Sequence, residues 1–134
     1  MKQQELDSLM QDSAQNAIES TQMEFDLVLD KTPESLSKVD DVLLAYIERY
    51  QDSALEDQAV FTLCNIYGAY IGEVFRATRG GQWRYDVSDE KAPYVLLDYA
   101  GQSYAFAGIC YQRLVNDSSV SVKAYFDQAM ENSE

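Results

Sequence analysis

Histidine is absent from the 134 residues, and basic side chains are scarce, with 10 lysines and arginines against 23 aspartates and glutamates. Without an imidazole, a serine or cysteine nucleophile has no ordinary base. The five lysines lie in polar contexts, so a hydrolytic triad is not expected. Cysteine is nearly as rare. Cys64 and Cys110 occur inside apolar helical patterns with no CxxC, which predicts two buried thiols rather than a disulfide. Two cysteines without histidine also make a poor zinc site. No Walker A loop and no GxGxxG element is present to cradle a phosphate, and no cofactor is expected. The longest apolar runs are too short and too interrupted to cross a bilayer. The opening residues, MKQQELDSLMQDSAQ, contain no apolar signal core, so the expected location is the cytoplasm.

What is present is a globular composition, 46% hydrophobic and 25% charged, at a length that suits one domain with a core of its own. The formal net charge is −13. It is unevenly spread: residues 1–60 hold 14 acids and 4 bases, residues 61–134 hold 9 and 6. Such a field repels nucleic acid and anionic membrane and speeds encounter with basic partners. It equally serves as a solubilising surface.

Residues 3–20 place Leu6, Leu9, Met10, Ala14, Ala17 and Ile18 at helical spacing. In TQMEFDLVLDK the period changes: Met23, Phe25, Leu27 and Leu29 alternate with Glu24, Asp26, Val28 and Asp30, which predicts a strand. TPESLSKVDD is a helix entry, with Thr32 as a cap and Pro33 at the first position. The stripe of Val39, Val42, Leu43, Tyr46, Ile47 and Tyr50 follows it. Ser53 and Glu56 form a capping box for a helix over Ala54–Arg79, which Gly80-Gly81 should end. QWRYDV and PYVLLDY, separated by SDEKA, read as an antiparallel hairpin, with AGQSY as a turn or further short strand. FAGICYQRLV and SSVSVKAYFDQAM close the chain as helices, the last capped by Asp117 or Ser118. The order α-β-α-α-β-β-α-α predicts a single α+β domain with a small antiparallel sheet packed by helices.

Few residues suggest chemistry. Asp40-Asp41 and Glu56-Asp57 are adjacent pairs that point to different helix azimuths and suit helix starts. Gly68 and Gly72 share one helix face. Their smallness favours close packing of another element, with a ligand groove as the second reading. Glu73 and Arg76 can pair at i,i+3, and an arginine can lie against Trp83 just past the glycines. This module is self-sufficient as architecture; as a binding site it would be an arginine and aromatic hot spot. Tyr85, Tyr94, Tyr99 and Tyr104 around the hairpin offer either a binding platform or a half-buried sheet face.

The stretches GAYIGEVFRATRGGQW, APYVLLDY and YQRLVNDSSVSVKAYF, with TPESLSKVDDVL upstream, resemble a group of small bacterial proteins. Their pattern runs G-x-Y-x-G-E, then G-G-x-W, a short strand with proline, and a closing helical pair. The likeness covers about residues 32–126. Some such proteins resemble immunity partners of secreted toxins, and the pattern brings no catalytic residues with it. The expectation is therefore a non-enzymatic binding protein with a basic partner such as a toxin nuclease domain. Glu24, Asp26, Asp30, Asp40, Asp41, Glu56 and Asp57 would steer that partner, and Glu73, Arg76, Trp83 and Tyr85 would complete the contact. The alternative is a chaperone or adaptor for a secreted protein, which would be a homodimer. The oligomeric state itself is not legible in the sequence.

Overall fold

Three long apolar stripes demand mutual burial, and the helices that carry them form the frame. The computed structural model describes residues 2–49, 57–87 and 94–132. Helix α1 spans Gln3–Phe25, α2 spans Leu36–Arg49 after a 3-10 turn at Pro33–Ser35, and α3 spans Asp57–Thr78. A sheet of β1 (Gln82–Asp86), β2 (Tyr94–Tyr99) and β3 (Gln102–Tyr104) follows. Helix α4 (Phe106–Tyr111) runs on into a π-helical turn, Gln112–Asn116, and α5 (Val122–Asn132) ends the described chain. The architecture is α+β, as expected. Strand order is β1-β2-β3, antiparallel throughout, with Trp83 opposite Leu97 and Leu97 opposite Tyr104. The further short strand in AGQSY is β3. Ala100 and Gly101 turn into it with φ of 52° and 82°, the positive pair that a two-residue type I′ turn needs.

Helix α3 is the centre. It packs along α1 and against α4 and α5, so its buried residues face more than one side. Leu6, Met10, Ala14 and Ala17 of α1 form the facing stripe, where the two alanines let the helices approach closely. Phe75 gathers rings from every later layer: Tyr99, Tyr104, Phe106 and Phe126 have centroids 5.3–6.1 Å away. One continuous core joins residues of all five helices and the sheet. Cys64 and Cys110 are buried free thiols within it.

The predicted strand at Met23–Leu29 is not formed. Helix α1 continues to Phe25, and Asp26 ends it in the left-handed conformation, φ 54°, with its N–H on the Gln22 carbonyl. Residues 26–30 then form neither helix nor strand. Leu27 is half-buried and Leu29 buried, while Asp26, Val28 and Asp30 are exposed. The alternation that suggested a strand is real in that segment, but helices cover its apolar side. Tyrosine hydroxyls hold it there. Tyr70 accepts the Lys31 N–H at 2.8 Å and lies 2.6 Å from the Ser35 hydroxyl, and Tyr67 bonds Thr21 within α1. The expected turn at SDEKA, the capping box of Ser53 and Glu56, and Tyr50 lie outside the described residues.

The last helix is not capped by Asp117 or Ser118. Asp117 instead accepts from Ser119 in a local turn. Helix α5 begins one turn later, with the Ser121 hydroxyl accepting the Ala124 N–H at 3.1 Å. Its first amides also bond to a residue from another helix: Asp40 of α2 accepts the N–H of Val122 and of Lys123 and the Ser121 hydroxyl, at 2.8, 3.2 and 2.7 Å. A carboxylate at that position satisfies orphan donors and complements the helix dipole. Arg113, buried in the π turn, locks the other side. It donates to the Asp40, Ser118 and Val120 carbonyls and lies 3.4 Å from the Asp40 carboxylate. Removing the carboxylate leaves the buried guanidinium without its counter-charge and the helix without its cap. Asp40→Ala is therefore expected to lower stability by about 2–4 kcal/mol, measured by urea unfolding.

Candidate functional site

The GAYIGE and GGQW segments meet in space. Gly80 and Gly81, with φ of 100° and 113°, end α3 and turn the chain directly into β1. The turn brings Trp83 back against the helix it has just left. Its ring lies over Gly72, where a Cβ would overlap Cη2 and Cζ2 of the indole. The indole N–H donates to the Glu73 carboxylate at 2.9 Å. Arg76 bonds the same carboxylate oxygen at 2.8 Å and reaches the Gly81 carbonyl at 3.3 Å. From α1, the Gln3 amide donates to the Trp83 carbonyl at 2.8 Å. The expected stacking of an arginine on Trp83 is not what Arg76 does; it faces the carboxylate and the turn.

Gly68 has a separate task. A Cβ there would stand 2.7 Å from the Cα and N of Ala107, so the glycine lets the α4 backbone rest on α3. Both glycines thus permit close packing, and Gly68 also lines a groove.

That groove has a volume of about 450 Å³ and opens between α1, α3, the hairpin and α4. Met10, Cys64, Trp83, Val95 and Ala107 form its inner surface. Its rim is unusual. Leu9, Phe61, Tyr85 and Tyr111 line it and are 47%, 69%, 43% and 46% exposed. Apolar side chains gathered at one opening mark an interaction site more often than single exposed ones do. Among the described residues no lysine, arginine or acid lines the groove. Burial pushes the Cys64 thiol up to about 12, so at neutral pH it is a protonated wall and not a nucleophile.

The other candidate residues are dispersed. Glu24 pairs with Arg49 at 3.0 Å, whose guanidinium lies 5.0 Å from the Phe25 ring centroid. Asp26 is the exposed cap of α1. Asp30 accepts the N–H and hydroxyl of Thr32, which hold its carboxyl below the usual range. Asp40 is occupied by α5, so it is not free to steer anything, whereas Asp41 is exposed on α2. Glu56 lies outside the described residues, and Asp57 opens α3. Of the hairpin tyrosines, Tyr85 lines the groove, Tyr99 is half-buried against Phe75, and Tyr104 is buried. Among the described residues the Tyr104 hydroxyl has no hydrogen-bond partner. Glu73, Arg76 and Trp83 are the cluster that forms. Phe61, Leu9 and Tyr111 were not among the expected site residues. Their signal was present: Phe61 and Gly68, seven residues apart, run down one face beside the main α3 stripe.

Among the described residues no three histidine, cysteine, aspartate or glutamate side chains gather to hold a metal ion, and no helix is long and apolar enough to cross a membrane. No protein-family model, curated protein or solved structure matches the chain.

Gly72→Ala decides whether the Trp83 seat is architecture. Helix propensity alone would favour alanine by about 1 kcal/mol. Overpacking against an anchored ring costs about 1–3 kcal/mol, and here the ring cannot retreat without breaking its bond to Glu73. The expected outcome is net destabilisation, with Trp83 emission shifted to the red. For Cys64, alkylation by iodoacetamide at pH 7.5 should proceed only as fast as the protein opens; rapid labelling of the folded state would contradict the buried, protonated thiol.

Proposed function

We propose that this is a non-enzymatic, acidic binding protein of the cytoplasm that captures a basic protein partner, as an immunity protein captures a bacterial toxin domain such as a nuclease. The groove carries the reading. It offers four large, partly exposed apolar side chains at one opening, on a molecule of net charge −13. Interfaces draw their affinity from such aromatic and aliphatic anchors, while charge complementarity sets encounter rate and choice of partner. Helix α1, which forms one wall, contributes five acids (Glu5, Asp7, Asp12, Glu19 and Glu24) and no base. The resemblance of GAYIGE and GGQW to small bacterial proteins, some akin to toxin-immunity proteins, points the same way.

The groove walls also support binding rather than chemistry, since among the described residues their polar side chains are the Tyr85 and Tyr111 hydroxyls, Ser13, Asn65 and a thiol raised out of its reactive range. A chaperone or adaptor for a secreted protein is the second reading, favoured by the same exposed rim, and it requires a homodimer. Addition of an extended client to β1 is opposed where Gln3 already holds the Trp83 carbonyl.

The test is co-expression with the toxin encoded by a neighbouring gene. Growth should be restored and a complex recovered whose association slows about tenfold or more between roughly 50 and 500 mM salt. No rescue together with no complex would sink the reading; a salt-insensitive complex would remove the electrostatic part of it.

A further inference from the structure

Resting on that reading, we infer that the groove between α1, α3, the hairpin and α4 is the docking site for a basic amphipathic helix of the partner. The rim excludes smaller occupants. Phe61 projects with 69% of its surface in water, and a small apolar molecule seated inside would leave it and Tyr111 wet. Only an occupant of macromolecular size covers both. The charge around the rim gives the sign of the partner. On α1, Glu5 and Asp12 lie four residues before and three after Leu9, so they border the groove on the outer shoulder of that helix, and both are exposed. Among the described residues no basic side chain lines the opening. A second copy of this chain would set the same acidic shoulder against itself, which like-charge repulsion disfavours.

The shape selects a helix over a strand. The groove is walled by helices on three sides, α1, α3 and α4, and Gly68 and Trp83 are among its lining residues. An added strand would need the free edge of β1, where Gln3 already bonds the Trp83 carbonyl. Helix-in-groove recognition uses apolar anchors at i, i+3 or i+4, and i+7, with the opposite face free to carry lysine and arginine. Leu9, Phe61 and Tyr111 would then close over the anchors from three elements.

The probe is a synthetic helix of roughly 18 residues, about five turns, with leucine on one face and lysine on the other. It is titrated into the full chain, with Trp83, the one tryptophan and a groove wall, as reporter. Binding is expected to shift Trp83 emission. The pair Phe61→Ser with Tyr111→Ser should weaken it about tenfold or more. The pair Met23→Ser with Val28→Ser, which alters exposed apolar residues away from the groove lining, should change it by less than about twofold. A peptide with glutamine replacing lysine should bind at least about tenfold more weakly. Equal losses in both pairs, or equal affinity for both peptides, overturn the proposal. So does binding of a small apolar dye without binding of the peptide, or a dimer in sedimentation that Phe61→Ser dissolves. If toxin rescue survives Phe61→Ser with Tyr111→Ser, the groove assignment fails and the binding reading stands. If the peptide docks as expected but no basic partner gives rescue or a complex, the reverse holds.

Discussion

The hydrogen bond from the Trp83 indole to Glu73, made across a ring that rests on Gly72, is the constraint that organises the rest of the molecule. A three-stranded sheet with one strand of three residues is marginal by itself and needs a helix to bury its apolar face. Trp83 supplies the attachment. It lies on the first strand, only two residues past the glycine stop, so the contact is local in sequence and closes a small loop. Once β1 is fixed, the antiparallel register fixes β2 through Leu97 opposite Trp83, and β3 follows through Tyr104 opposite Leu97. Trp83, Leu97 and Tyr104 then form one buried row across the sheet, with Trp83 on Gly72 and Tyr104 against Phe75 of α3. Arg76 neutralises the carboxylate that the indole needs, and its other donor holds the turn.

A second fastening acts at the far end of the chain. Asp40 and Arg113 are 73 residues apart, and between them they connect α2, the π turn and α5. The same carboxylate accepts helix amides and faces a guanidinium, so neither charge is left unanswered in a largely dry setting. The π turn is consistent with this. An i→i+5 turn shifts side chains around the helix axis, and the residue it carries inward is Arg113. Charge among the described residues therefore has two uses: a few ion pairs fasten elements, and acids such as Glu5, Asp12, Glu34 and Asp41 face water.

Legibility in the sequence followed the range of the interaction. Helix stripes, the glycine stop and the hairpin depend on neighbours a few residues away, and each is where periodicity and turn chemistry place it. The strand expected at Met23–Leu29 failed because alternation reports alternating burial and not a ladder partner; α1 simply continued until Asp26 turned left-handed. The Asp40 cap and the Arg113 clamp were illegible because their partners lie far along the chain, and a lone acid near a helix start already has a sufficient local explanation. The cluster of Glu73, Arg76 and Trp83 was visible as a cluster, but only the coordinates distinguish a site from a seat. The groove was harder still. Its rim residues come from α1, α3, β1 and α4, and none is remarkable beside its own neighbours.

Trp83 belongs to both systems, and that is a reason to join them. One edge of its ring is held by Glu73 against α3, while the ring itself forms part of the groove wall. An anchor pressed against that wall meets a surface that cannot yield, because Gly72 behind it leaves no slack and the strand in front is paired along its length. Rigid walls reduce the ordering cost of binding, whereas the exposed rim side chains still have rotamers to lose. The preorganised part of the site is thus the deep part, made by architecture. The adaptable part of the proposed site is the rim, where exposed Phe61 and Tyr111 would rearrange around a partner. On this division the deep lining, Met10, Cys64, Gly68 and Trp83, is shared with the fold, and the residues that would choose the proposed partner are those of the rim.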